Sequence, residues 1–100
     1  MENGIKETLQ NAIKVYGRDK QTEMAIEEMG ELLVAINQHK RGRISVEAVQ
    51  EEIADVRIMV EQLAIIYGES DVTNFETKKV ARLKERIVKH LEECKAKSHS

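Results

Sequence analysis

VEAVQEEIADVRIMVEQLAIIY, residues Val46 to Tyr67, decides the fold. Val49, Ile53, Val56, Val60, Leu63 and Tyr67 recur at spacings of three and four, the period of one helix face and not of a strand. The same spacing runs upstream through Ala25, Met29, Leu32, Leu33 and Ile36. Downstream it runs through Val80, Leu83, Ile87 and Leu91, with Phe75 five residues ahead of Val80. These stripes are expected to form the core.

Glycines punctuate the pattern. Gly17, Gly42 and Gly68 each follow a helical stretch, where a left-handed residue commonly ends a helix. The sequence therefore predicts four helices, roughly Ile5–Tyr16, Lys20–Lys40, Val46–Tyr67 and Asn74–Lys95. Asp19, Ser45 and Thr73 stand where N-caps are wanted, and Thr73 with Glu76 reads as a capping box. Short connections predict antiparallel packing of consecutive helices. Proline is absent and β-branched residues do not alternate with polar ones. The expected fold is all-α, an antiparallel bundle of about four helices in a single domain over residues 1–100. Residues 1–4 and 96–100 are expected to fray.

The chain has 100 residues, 16 Lys plus Arg against 18 Asp plus Glu, and only three aromatics. The charge balance argues against a general nucleic-acid binder, and the interspersed acids of the last helix argue against a DNA-binding face there. The longest apolar runs fall well short of a membrane span. The N-terminus lacks a basic region followed by an apolar stretch, and Cys94 has no internal disulfide partner. A reducing cytoplasm is the expected location. A domain this small buries only about two thirds of its unfolded-chain surface. With so few bulky side chains, its core is expected to be completed by a homo-oligomer, dimer or tetramer.

Four acids do not read as ordinary surface. Glu28 and Glu31 lie within one turn of the second helix, Glu28 at the edge of the apolar arc. Glu52 falls inside the stripe of the third helix, with Asp55 three residues on. If the two helices are antiparallel neighbours, both pairs can face each other across the bundle. Crowded carboxylates raise one another's pKa values, and a divalent cation relieves the repulsion. All-oxygen ligands suit Mg²⁺ or Mn²⁺. A helical di-iron site would need Glu-x-x-His pairs, and Ile36, Ile87 and Ala96 precede the three histidines instead. The competing reading is a solvated acidic face. Gly30, between the two acids of the second helix, costs about 1 kcal/mol against alanine there. Either a close approach by a ligand or another backbone, or a packing compromise, would account for it.

The order Glu27-Glu28-x-x-Glu31, a basic loop, then Glu52-x-x-Asp55 resembles the MazG-like all-α nucleoside triphosphate pyrophosphohydrolases. Tyr16-Gly17, Gln21 and the stretch from Lys79 to Arg86 add to the likeness, which runs from about Tyr16 to Arg86. The resemblance implies hydrolysis between the α and β phosphates, giving a monophosphate and pyrophosphate. It implies Glu28, Glu31, Glu52 and Asp55 as Mg²⁺ ligands. Glu31 is the candidate general base, with Glu27 as its rival. Lys79, Arg82 and Arg86, at i, i+3 and i+7, are the candidate phosphate partners, Lys79 first. Lys40 in the basic loop is a further candidate, although cations at a helix C-terminus are favoured by the macrodipole alone. Leu83 departs from the asparagine common in the family, and no tryptophan is available to stack on a base. The alternative is a non-catalytic helical oligomerisation or adaptor protein. Nothing around Cys94 suggests a nucleophile, and no Walker-type loop is present.

Overall fold

The computed structural model describes residues 3–99, with side chains for residues 4–98. It is all-α, with four helices and no strand among the described residues: α1 (Asn3–Tyr16), α2 (Arg18–Lys40), α3 (Val46–Tyr67) and α4 (Glu69–His99). Among the described residues, no helix is long and apolar enough to cross a membrane. Residues 1–67 and 68–100 form two compact units.

In the first unit, α2 and α3 are antiparallel neighbours, and α1 packs on both. Gln21 Nε2 donates to Gln62 Oε1 at 2.7 Å, and an Arg18 guanidinium nitrogen donates to the Ile66 carbonyl at 3.2 Å. The start of α2 therefore lies beside the end of α3. The turn between them is built as expected. Gly42 adopts φ 72°, its N–H donates to His39 O, and Arg43 N–H donates to Gln38 O. These are the two bonds of a Schellman motif. Ser45 Oγ then accepts from Ala48 N–H at 3.2 Å, capping α3.

The other connections differ from expectation. Gly17 (φ 95°) bonds to both helices: its N–H donates to Ile13 O of α1, and its carbonyl accepts from Gln21 N–H of α2. One residue closes α1 and opens α2, so Asp19 sits inside the first turn instead of capping it. Gly68 (φ 120°) likewise accepts from Val72 N–H and opens α4. Thr73 is therefore interior to α4, and its carbonyl accepts from Thr77 Oγ1 in place of any capping box. A one-residue link leaves no room for a separate cap. The backbone of α4 continues four residues past Lys95, to His99. Met1, Glu2 and Ser100, part of the tails expected to fray, lie outside the described residues.

The expected apolar stripes form the core only in part: Ala25 is buried and Leu32, Val49, Val56 and Leu63 are half-buried. The buried apolar residues are Leu9, Ala25, Ala35, Met59 and Ala64. Met29, Leu33, Ile36, Ile53, Val60 and Tyr67 are exposed, as is the whole expected stripe of α4. The buried and half-buried seam of α2 is Gln21, Ala25, Glu28, Leu32, Ala35 and Gln38. It follows the three-four period too, shifted around the helix onto small and polar residues. Small side chains at a seam allow close helix approach, which leaves the bulky ones outside.

A candidate metal centre between α2 and α3

The seam runs through the acids. Glu28 and Glu52 are half-buried, one on each helix, and Glu31 is exposed beside them. One carboxylate oxygen from each of Glu28, Glu31 and Glu52 lies within 4.8 Å of the others. Antiparallel packing creates this convergence. Glu28 and Glu31 share a face of α2, and the register set by Gln21–Gln62 brings Glu52 level with them.

The electrostatics disfavour full ionisation of the cluster. Burial pushes the Glu28 carboxyl above the usual glutamate range, and the negative charges of Glu31, Asp55 and Glu52 push it further, as does its contact with Glu31. Burial also raises Glu52, followed by the charges of Glu31, Asp55 and Glu51, while its contact with Glu28 lowers it in part. Glu28 Oε2 and Glu52 Oε2 are both buried with no hydrogen-bond partner. Unpartnered buried carboxylate oxygens are costly, and the donor set is wholly oxygen. These residues fit a hard divalent cation.

The remaining site residues separate into those near the triad and those elsewhere. Asp55, three residues past Glu52, stands outside the tight triad, yet its charge reaches both buried acids. Glu27 and Glu51 are exposed. Lys40 is the last residue of α2, about 18 Å along the helix from Glu28 at 1.5 Å per residue, so the same chain does not bring it to the triad. Lys79, Arg82 and Arg86 lie on one face of α4 and are exposed.

The buried glutamines are what sequence reasoning missed. Gln21 and Gln62 are 4% and 3% exposed, and Gln62 Nε2 also approaches Met59 Sδ at 3.8 Å. The signal was present in the spacing of Gln21, Ala25, Glu28 and Leu32, once polar residues are allowed on a seam. Gly30 has open space where a Cβ would stand, so packing within the chain does not require it. Compared with family models, curated proteins and solved structures, the chain matches none.

Proposed function

We propose that this chain is a Mg²⁺-dependent nucleotide pyrophosphohydrolase of the MazG-like, all-α kind, with Mn²⁺ able to replace Mg²⁺. One observation carries the reading: Glu28, Glu31 and Glu52 converge from two helices, and two of their oxygens are buried without partners. The motif resemblance, Glu27-Glu28-x-x-Glu31 followed by Glu52-x-x-Asp55, supplies the reaction class.

Glu28, Glu31, Glu52 and Asp55 would hold the cation. When bound, it would offset polyphosphate charge and lower the pKa of a coordinated water. In the proposed reaction, a water beside the exposed carboxylates attacks the α phosphorus of a nucleoside triphosphate. The bond from that phosphorus to the oxygen bridging to the β phosphate breaks, and pyrophosphate leaves. The water proton passes to a carboxylate. Glu31 is the candidate acceptor because it is the exposed member of the triad, with Glu27 one turn away as its rival. Lys79, Arg82 and Arg86 are the proposed phosphate partners, since a polyphosphate needs cations as well as acids.

A second reading, a non-catalytic oligomerisation or adaptor protein, draws on a different observation. Leu33, Val34, Phe75 and Leu91 are each more than half exposed, apolar surface that a second copy or a partner would cover. Both readings propose a homo-oligomer, and both fit a reducing cytoplasm, since Cys94 is a free, exposed thiol. Pyrophosphate release from a panel of ribo- and deoxyribonucleoside triphosphates separates them. Release with Mg²⁺ that stops on chelation supports the enzyme. No release from any triphosphate, with no melting shift at millimolar Mg²⁺ or Mn²⁺, supports the adaptor.

A further inference from the structure

The apolar positions of α3 form a strict heptad. Val46, Ile53, Val60 and Tyr67 stand seven apart, and Val49, Val56 and Leu63 follow the first three of them at a spacing of three. Such a repeat, with Val or Ile leading, is the pattern by which two helices pair along one seam. The first unit leaves this seam open. Gln62, bonded to Gln21, marks the side of α3 that faces α2, and Val60 points nearly opposite at 100° per residue. The leading residues Val46, Ile53, Val60 and Tyr67 are exposed, and Val49, Val56 and Leu63 are only half-buried. Two grooves border the stripe. One is lined by Val56, Arg57, Val60 and Glu61, and the other includes Ile53, Arg57 and Ile5 of α1.

We propose that a second copy of this chain covers this face, α3 against α3 in antiparallel sense, about a twofold axis level with Ile58. In that register every layer joins a leading position to a following one. Val60 meets the partner's Val56, Ile53 meets the partner's Leu63, and Tyr67 meets the partner's Val49, each contact repeated by symmetry. The charges agree with it. Arg57 and Glu61 stand one turn apart on the same edge of the stripe. The axis sets Arg57 beside the partner's Glu61 and Glu61 beside the partner's Arg57, two opposite-charge pairs at the rim. A parallel copy would aim Arg57 at the partner's Glu52 instead, a side chain half-buried and already engaged among the acids. The repeat also selects the occupant. The α4 stripe, Val80, Leu83, Ile87 and Leu91, steps by three, four and four and drifts off a heptad seam, whereas α3 matches itself layer for layer. This assigns a surface to the homo-oligomer of both functional readings and depends on the chemistry of neither.

Sedimentation of the full chain tests the surface, and electron-resonance distances test the direction. The unmodified chain should sediment as a dimer or a multiple of it. Val60→Glu should lose the α3 contact and drop to a smaller species, with far-ultraviolet circular dichroism unchanged because Val60 is exposed. Leu83→Glu, on the α4 stripe, should leave the α3 contact intact. If Val60→Glu loses its helices, Arg57→Glu replaces it: alone it should weaken association, and adding Glu61→Arg should restore it. For direction, a nitroxide is placed at Gln50→Cys in a Cys94→Ser background. Gln50 stands level with the partner's Ile66 in the antiparallel register, so the two labels should lie about 24 Å apart along the axis at 1.5 Å per residue. A chain that stays monomeric at high concentration overturns the proposal. So does an assembly unchanged by Val60→Glu, a charge reversal that does not recover, or a pair of labels side by side.

Discussion

Gln21 and Gln62 share a 2.7 Å hydrogen bond between buried side-chain amides, on the same seam that holds Glu28 and Glu52. A one-residue slip of either helix would break the bond and carry the acids out of level. The amide pair therefore acts as a register pin for the triad.

Gln62→Ala should destabilise the chain by about 1–3 kcal/mol, because it leaves the Gln21 amide buried and unpaired. Replacing both glutamines by leucine should cost less than the single change, since no orphaned polar group remains. Denaturant unfolding of the three variants provides the comparison. A Gln62→Ala midpoint equal to that of the unmodified chain would show that the pair contributes nothing.

The pH dependence of the metal-free chain follows from the raised carboxyls. The folded state holds protons on Glu28 and Glu52 that the unfolded chain releases near pH 4.5, the ordinary glutamate value. The stability these protons confer is complete below that pH and is lost as pH rises through the folded-state values. In a chelating buffer, these two sites should make the chain less stable at neutral pH than at mildly acidic pH. Glu28→Gln/Glu52→Gln should flatten that fall and raise the neutral-pH melting temperature. With Mg²⁺ present the trend should invert, because protons and the cation compete for the same oxygens. Melting curves across pH, with and without Mg²⁺, give all three comparisons.

Glu52→Gln should remove turnover and the Mg²⁺-linked rise in melting temperature together, while far-ultraviolet circular dichroism stays unchanged. A cation at one hundred times its dissociation constant stabilises a folded chain by about 2.7 kcal/mol, which a melt detects easily. Turnover surviving in this variant would falsify the ligand assignment.

Helix number and the α2–α3 turn were legible because each rests on a local rule. The apolar period marks a helix wherever it packs, and Gly42 with Ser45 satisfies backbone groups within a few residues. The convergence of Glu28, Glu31 and Glu52 was legible for the same reason, whereas Asp55, expected with them, stands outside the group of three. The core was legible only in part, through Ala25, Leu32, Val49, Val56 and Leu63, because bulk misleads when small residues let two helices close up. Ala25 and Ala35 are buried, while Leu33 and Val34 between them point outward. The caps at Asp19 and Thr73 failed because a single glycine can end one helix and begin the next. Neither error shows in periodicity, which fixes spacing along a helix but not which face its neighbour selects.

Gly30 separates a structural cost from a functional one. It lies within α2 between Glu28 and Glu31, and a methyl group there would meet no atom within 4 Å. Gly30→Ala should therefore stabilise the helix by roughly 1 kcal/mol, the difference in helix propensity, with no clash to offset it. A residue that weakens its helix without serving the packing of its own chain points outward, to a substrate or a second copy approaching the backbone. Gly30→Ala should accordingly raise the denaturation midpoint while lowering kcat/KM for the triphosphate or weakening self-association. Unfolding, steady-state kinetics and sedimentation on one preparation measure the three effects. A variant that gains stability and loses neither turnover nor assembly would reduce Gly30 to an unoptimised helix position.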